Sequence, residues 1–293
     1  MNNRMEDFLK LEKLYHYAPF DLGLRIILSG RLKFGQLSKM NDACEKEKVI
    51  YNLLRNHECQ FEIKDIEEEM HRYEQISLIQ DDDEKGRKGF ELHQMWRMYA
   101  EKSDGVCLVF DKQKIKNRAD KEKNMFHEQV NYDFELSQNN YTDIQSKDAV
   151  KSWVKENAIN LYFHKRKEWE HEQEYRMVKR FDKDNEEHFF DFCDSLRYVI
   201  LFDADIKKYD ENNQETCKDS IITGIKYGIL KNCLKMIKNV ELLVYSPSIE
   251  NGYSLLLHKD EEFAPIAIWT ESNEQPFAND EQIDYSNLNN YMS

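Results

Sequence analysis

Strand-like and helix-like segments follow one another along this chain in an irregular order, and that order is the strongest constraint on its fold. Short apolar segments such as KLYHYA and VCLVFD predict strands. Segments with helical spacing, such as ELHQMWRMYAEK, fall between them without a regular strand and helix repeat. Irregular mixing of this kind is typical of α+β proteins, so we predict an α+β fold.

The first forty residues predict a strand, a short helix and a second strand. Asp21 can cap the helix and Gly30 can end it, after which RLKFGQL alternates like a strand. Further along, we expect a helix from about residue 148 to 167 and another near LKNCLKMIK. The remaining expected strands are EQVNYDF, HFFDF, RYVIL, IITGIKYGI, VELLVYS, YSLLLH and APIAIW.

Residues from about 43 to 90 are rich in charge and have helical periodicity, and we interpret them as a helical insertion. The rest of residues 1–272 would form a single α+β domain around this insertion. Residues 273–293 are polar and rich in Asn and acidic side chains, which predicts a loose C-terminal tail.

The charge and the cysteines limit the class of protein. A net charge of −14 disfavours a general nucleic-acid coat and binding to an anionic membrane surface. The six cysteines are widely scattered, which is typical of reduced thiols, and the N-terminal residues lack the apolar core of a signal peptide. We therefore expect a cytoplasmic protein that does not associate with membranes.

The segment EWEHEQEYR is the strongest local candidate for a site. If it forms a strand, Glu172, Glu174 and Arg176 point to one face, because side chains alternate along a strand. Two carboxylates on one face repel each other, and a cationic partner or reaction intermediate would offset that repulsion. The alternative is an edge strand with a solvated, salt-bridged outer face.

Other chemistry-bearing residues also have structural interpretations. Tyr15 and Tyr17 around His16 can simply be a packed aromatic face, and Trp96 with Tyr99 can be the buried side of a helix. Asn41 or Asp42 can cap a helix with Glu45 as its partner. His164, Glu168 and His171 lack the spacing of known metal motifs, so we expect no metal site. Phosphate-binding glycine motifs and the nucleophile elbow are absent as well.

Four segments, taken in order, resemble the successive motifs of a prokaryotic family known as domain of unknown function 2971. They are LYHY, LKFGQLSKMNDACE, MWRMYAEKSDGVCLVFD and EWEHEQEYRMV, and IITGIKYGI resembles a later strand of that family. The chain differs from the family pattern at Ala43, where proline is frequent, and in its longer helical stretch before Gln94.

That family in turn resembles, more distantly, the ADP-ribosyltransferase superfamily, whose split β-sheet cleft binds NAD. The resemblance implies an ADP-ribosyltransferase-like split sheet with NAD as substrate. It implies catalytic roles for His16, Glu172 and Glu174, since a carboxylate can stabilise the positive charge that develops on the ribose during cleavage. It also implies a set of cofactor-binding residues: Tyr17, Phe34, Ser38, Asn41, Tyr99 and Arg176.

Three functions follow from this comparison of residues and resemblance. The first is an ADP-ribosyltransferase-like enzyme that modifies a nucleic acid or protein, such as a bacterial toxin or anti-phage defence effector. Its basic runs DKQKIKNR and HKRKEW would guide an anionic target. The second is a non-catalytic sensor that binds a protein partner through the helical insertion. The third, which the sequence favours least, is a metal-dependent nuclease built on Glu172, Glu174 and a histidine.

Overall fold

The computed structural model describes residues 3–36, 63–102, 104–132, 147–182, 187–202, 218–237, 239–248 and 252–257. This part of the chain has a mixed α+β architecture in which helices pack on both faces of a mostly antiparallel sheet, which confirms the predicted fold class. Three predicted segments lie outside the described residues, namely positions 43–62 of the insertion, the APIAIW strand and the tail at 273–293.

Eight α-helices occur in the described residues. They are α1 (Asn3–Lys10), α2 (Phe20–Ser29), α3 (Ile63–Met70), α4 (His93–Tyr99), α5 (Lys112–Ala119), α6 (Lys147–Glu156), α7 (Ala158–Tyr162) and α8 (Lys218–Leu234). Short 3-10 turns occur at Gly89–Glu91, Lys167–Glu172 and Cys193–Ser195.

Eleven strands occur in the same residues. They are β1 (Lys13–Ala18), β2 (Arg31–Lys33), β3 (Gly35–Gln36), β4 (Tyr73–Gln80), β5 (Val106–Asp111), β6 (Met125–Gln129), β7 (Glu174–Arg180), β8 (Phe189–Asp191), β9 (Leu196–Phe202), β10 (Glu241–Ser248) and β11 (Gly252–Leu257).

Nine of these strands form one sheet in the order β11-β10-β9-β5-β1-β4-β7-β6, with β3 paired to β4. Every pairing is antiparallel except that of β9 with β10. The two remaining strands, β2 and β8, pair with each other as a separate ribbon.

The sheet opens between β1 and β4, and this opening positions the site. The two strands pair only at Leu14 with Gln80 and at Tyr15 with Ile79. Beyond that point β1 stays paired to β5, whereas β4 stays paired to β7. The same edge of β4 pairs again only at residues 74–75, where it meets β3. Residues 76–78 of β4 therefore lie on the side of β1 without backbone pairing to it.

Three apolar clusters hold the layers together. One covers a whole face of the sheet and includes residues of α2, α5 and α8. The opposite face carries two separate clusters. One of them packs α1 and α4 against β1, β5, β9 and β10. The other packs α3, α6 and α7 against β4 and β7. The first of these two clusters reaches β4 only at Ile79, where β4 pairs with β1.

Several predicted elements are confirmed at the expected places. Strands form at KLYHYA, HFFDF, RYVIL, VELLVYS and YSLLLH. Gly30 ends α2 with a φ of 69°, a left-handed conformation that glycine adopts without strain. The N-cap of that helix is Pro19 rather than Asp21, which lies in its first turn. RLKFGQL is not one strand, because β2 pairs with β8 and β3 pairs with β4.

Two segments differ in type from what we predicted. Within the described part of the expected helical stretch, Ile63–Met70 is an α-helix, whereas Tyr73–Gln80 is β4, a central strand paired on both edges. The segment IITGIKYGI lies inside helix α8 rather than in a strand, and Leu230 and Leu234 of that helix are buried in the core. In both places tertiary packing overrides local propensity.

Candidate functional site

A cavity of about 310 Å³ lies at the opening between β1 and β4. Its walls come from both halves of the sheet, from α4, and from the segment that leads into β7. The lining residues are Tyr15, His16, Tyr17, Lys33, Gly35, Gln75, Ile76, Ser77, Ile79, Met95, Tyr99, Lys165, Trp169, Glu172, Glu174 and Arg176. A concave site with aromatic walls and a few convergent polar groups has the general character of a ligand pocket.

Glu174 and Arg176 form a buried ion pair on this wall. They lie two apart on β7 and so share one face of the sheet, as the sequence pattern predicted. Arg176 Nε donates to Glu174 Oε1 at 2.6 Å, and the second terminal nitrogen donates to Oε2 at 2.9 Å. The other terminal nitrogen donates to the carbonyl of Tyr162 at 2.6 Å. Two-point contact of this kind fixes the orientation of both side chains.

Lys165 links Glu174 to the second carboxylate of the site. Its Nζ donates to Glu172 Oε2 at 2.6 Å and to Glu174 Oε2 at 3.4 Å. The same Nζ lies 4.5 Å from the centre of the Trp169 ring, a cation–π contact. The cluster therefore contains two carboxylates and two cations, and its formal charges balance.

The two carboxylates have opposite pKa shifts. Burial alone would raise the pKa of Glu174, but Arg176, Lys165 and the hydroxyl of Ser77 outweigh burial and lower that pKa to about 2. For Glu172 burial prevails over the attraction of Lys165, and its pKa is raised. Glu174 is thus a fixed anion near neutral pH, whereas Glu172 is the carboxyl group better suited to exchange a proton.

Glu172 also has an unused oxygen. Its Oε1 is buried and has no hydrogen-bond partner within the described part of the chain. By contrast, both oxygens of Glu174 accept hydrogen bonds from Arg176. The carboxylate with a free acceptor in this cavity is therefore Glu172.

His16 lies opposite residues 76–78 of β4, which have no backbone pairing with β1. Its Nδ1 is 3.5 Å from the carbonyl oxygen of Ser77, and its ring is partly exposed. Burial lowers the pKa of His16, so the ring is neutral near pH 7. Because Nδ1 of the neutral ring donates towards the Ser77 carbonyl, Nε2 is left as an acceptor for a ligand.

The structure brings six of the nine residues that we predicted into one cavity. These are His16, Tyr17, Tyr99, Glu172, Glu174 and Arg176. Phe34 is buried instead in the core, where it makes an edge contact with Phe181 at 5.4 Å, and its side chain is not part of the lining. Ser38 and Asn41 lie outside the described residues.

The local structure of EWEHEQEYR differs from the single strand that we predicted. Lys167–Glu172 is a 3-10 turn, Gln173 has a left-handed φ of 46°, and β7 begins only at Glu174. Glu172 therefore reaches the cavity from a turn rather than from strand alternation. The edge-strand alternative is not what the structure shows, because β7 is paired on both sides.

Tyr15 and Tyr17, which flank His16, pack in the core and also line the cavity. The Tyr15 hydroxyl donates to Asp81 at 2.7 Å, and the Tyr17 hydroxyl donates to the carbonyl of Gly89 at 2.5 Å. The Tyr17 ring makes an edge contact with Trp96 at 5.1 Å. Only the ring of Tyr17, not its hydroxyl, is therefore available to a ligand.

Sequence reasoning missed five lining residues that carry polar or aromatic chemistry, and one of them, Lys33, is the last residue of β2. Lys165 and Trp169 lie in the basic run HKRKEW, which we treated as a surface that guides an anionic target. Gln75 and Ser77 lie in the segment that we took for a helix. Strand alternation in YEQISLIQ would have placed both on the same face as Ile79.

Among the described residues, no group of three or more His, Cys, Asp or Glu side chains is placed to hold a metal ion. No helix within those ranges has both the length and the apolar character needed to cross a bilayer.

Fold and site define a mixed α+β protein with a buried, charge-balanced cluster at an opening in its central sheet. Residues 95–177 match the model of a family described as "Protein of unknown function (DUF2971)". The match supports the resemblance noted from the sequence motifs. It includes Lys165, Glu172, Glu174 and Arg176, but not β1. No curated protein and no solved structure matches the chain.

Proposed function

We propose that this protein is an ADP-ribosyltransferase-like enzyme that cleaves the nicotinamide–ribose bond of NAD and transfers ADP-ribose to a macromolecule. A bacterial toxin or an anti-phage defence effector is the setting that we propose for it. The observation that supports this proposal is the meeting of His16 with Glu172 and Glu174 in one cavity, at an opening between two sheet strands.

The chemistry of the proposed reaction suits the two carboxylates. The bond between ribose C1′ and the pyridinium nitrogen breaks, nicotinamide leaves with the bonding electrons, and positive charge develops on the ribose. Glu174 supplies a fixed negative charge nearby. Glu172, with its raised pKa and free Oε1, accepts a hydrogen bond from a ribose hydroxyl or takes the proton of the attacking group.

These roles modify what the resemblance implied for the two glutamates. The resemblance gave the ribose contact to Glu174 and the acceptor contact to Glu172. Because Arg176 occupies both oxygens of Glu174, we assign direct contact with the reacting groups to Glu172. Glu174 then acts through its charge and by holding Arg176 and Lys165 in position.

The walls suit the remaining parts of a dinucleotide. Trp169, Tyr99 and the ring of Tyr17 provide surfaces on which a planar ring can pack. Lys33 belongs to the lining and is exposed to solvent, so it can reach a phosphate at the mouth of the cavity. NAD enters this proposal as a substrate.

A binding module without catalysis is the second candidate, and one observation favours it. The contacts among Glu174, Arg176 and the Tyr162 carbonyl pair the two charged side chains of β7 within the protein, as expected of a structural support. In that case the cavity holds a small molecule, and its occupancy signals to a partner.

Nicotinamide release from NAD tests the proposal. The full chain is incubated with NAD and bacterial cell extract, and the wild type is compared with Glu172→Gln and with Glu168→Gln. The control residue Glu168 lies on the same 3-10 turn but is exposed and is not part of the lining. We expect Glu172→Gln to lower the rate by about 100-fold or more and Glu168→Gln to leave it unchanged.

Two outcomes would count against the enzyme. If wild type and Glu172→Gln give equal rates while both fold, judged by circular dichroism, then Glu172 has no part in the reaction. If the wild type binds NAD in calorimetry but releases no nicotinamide with any extract, the binding module becomes the better description.

A further inference from the structure

Gln75 and Ser77 of β4 lie beside the Glu174–Arg176 ion pair on the cavity wall. Gln75 Nε2 donates to Ser77 Oγ at 3.3 Å, and the Ser77 side chain contributes to the lowered pKa of Glu174. Gln75 and Ser77 alternate on β4 and point to the same face, beside Glu174 and Arg176 on β7. All four residues line the cavity.

The side-chain amide of Gln75 turns its NH₂ group towards Ser77, because Gln75 Nε2 donates to Ser77 Oγ. The ionised carboxylate of Glu174 lies beside Ser77 and can only accept hydrogen bonds, so it favours a Ser77 hydroxyl that directs its proton towards Glu174 and leaves Oγ as the acceptor for Gln75. The side-chain amide of Gln75 is therefore held in one of its two orientations.

This orientation leaves the Gln75 carbonyl oxygen without a donor. Gln75 is 3 % exposed, and its Oε1 is buried with no hydrogen-bond partner among the residues that the structure describes. A buried acceptor that lacks a donor is unfavourable, so a ligand that supplies an N–H or O–H there gains affinity. A ligand that presents a second acceptor is repelled.

We propose that Gln75 is the specificity-determining residue of this cavity, and that it selects an aromatic ligand with a primary amide over the isosteric carboxylate. The aromatic part is assigned from Trp169 and Tyr99 in the same lining. The link to nicotinamide rests on the proposed function, whereas the preference for a donor group rests on the orientation of the Gln75 amide and its unpartnered oxygen.

Ser77 is the positioning residue in this arrangement. Without its hydroxyl the Gln75 amide is free to turn over and to present either its NH₂ or its oxygen to the ligand. The variant Ser77→Ala should therefore weaken the selection even though Gln75 itself is unchanged. A purely structural role for Ser77 would lower stability without changing the preference between two ligands.

Benzamide and benzoate are the probes for this proposal, because they share a ring and differ in one group. Binding of each to the full chain is measured by calorimetry or by ligand-observed NMR. We expect wild type to bind benzamide at least about tenfold more tightly than benzoate, since a buried polar group left unpaired costs that much or more. Gln75→Leu and Ser77→Ala should each reduce this ratio to about one.

Gln113→Leu serves as the matched control, since Gln113 lies on α5 outside the lining and bonds to Asn117. It should keep the wild-type ratio. Equal binding of the two probes by the wild type, no binding of either, or an unchanged ratio in Gln75→Leu would each overturn the proposal.

The probes also separate this proposal from the proposed enzyme. Selective benzamide binding without nicotinamide release keeps the ligand class and removes the NAD reaction. Nicotinamide release with a KM for NAD that Gln75→Leu does not change keeps the reaction and removes the role of Gln75.

Discussion

Arg176 and Glu174 are each 2 % exposed, and the guanidinium group donates two hydrogen bonds to the carboxylate at 2.6 and 2.9 Å. Few arrangements remove both charges of an ion pair from water so completely, and each charge depends on the other. Removal of one partner leaves a buried charge with too little compensation.

Arg176→Met should therefore lower the free energy of unfolding by about 3–5 kcal/mol. Urea denaturation followed by circular dichroism measures this change. The double variant Arg176→Met with Glu174→Gln should be more stable than Arg176→Met alone, because no uncompensated anion remains. Asp194→Asn is the comparison, since the ion pair of Asp194 with Lys114 lies at the surface, and it should cost less than about 1 kcal/mol. If Arg176→Met and Asp194→Asn lower the free energy of unfolding by similar amounts, the buried ion pair does not have the larger stabilising role expected of it.

The stability of the protein should depend on Glu174 at acid pH. The pKa of this carboxyl is about 2 in the folded chain against 4.5 when unperturbed, so its contribution is present above pH 4.5 and is lost as the pH falls towards 2. The difference in unfolding free energy between wild type and Glu174→Gln should thus be largest above pH 5 and should shrink towards pH 2. A difference that stays constant over that range would show that the pKa is not lowered.

Glu91 should have the opposite pH dependence. It is the buried last residue of the 3-10 turn at Gly89–Glu91, and its Oε2 accepts a hydrogen bond from the Lys88 amide at 2.7 Å. Burial is the main cause that raises the pKa of Glu91, from 4.5 to about 7. The stabilising contribution of its protonated form is complete below pH 4.5 and is lost as the pH rises through 7.

Glu91→Gln keeps the hydrogen-bond acceptor and removes the titration. We expect the variant to gain stability relative to wild type as the pH rises from 5 to 8, measured by thermal unfolding at a series of pH values. A parallel pH dependence of the two proteins would refute this assignment.

Two glycines form a matched pair for a test of backbone packing. A Cβ at Gly105 would lie 2.2 Å from the carbonyl oxygen of Ala18, whereas a Cβ at Gly228 meets nothing within 4 Å. Gly105→Ala should destabilise the protein by about 1–3 kcal/mol through a backbone shift. Gly228→Ala lies inside helix α8 and should stabilise it by about 0.5–1 kcal/mol. Thermal unfolding of both variants measures the contrast, and a stable Gly105→Ala would falsify the predicted contact.

Local sequence patterns predicted those helices and strands whose residue types match their environment in the fold. The strand at Leu196–Phe202 and the end of α2 at Gly30 are of this kind, since one has an apolar run and the other a glycine in the left-handed conformation. Strand β4 could not be found in this way. Its residues YEQISLIQ are half polar and follow a charged helix, and they form a strand because β1, β3 and β7 bond to them.

Part of the candidate site could be predicted from the sequence for the same reason. Glu174 and Arg176 follow strand alternation, so the pattern placed them together. Glu172 reaches the cavity from a 3-10 turn that the pattern did not predict. The partners that decide what each carboxylate can do, Lys165 and Ser77, come from other segments. Their proximity depends on sheet topology, which local periodicity does not contain.

The junction at Leu14–Gln80 and Tyr15–Ile79 has a consequence for how the molecule folds and opens. On one face of the sheet the apolar side chains form two separate clusters, one of which reaches β4 only at Ile79, so the two halves share little burial on that face. The junction joins strands that are distant in sequence, which makes it a slow contact to form and an early one to lose in partial unfolding. Amide hydrogens there should exchange faster than those between β4 and β7, and an occupant of the cavity should slow them first.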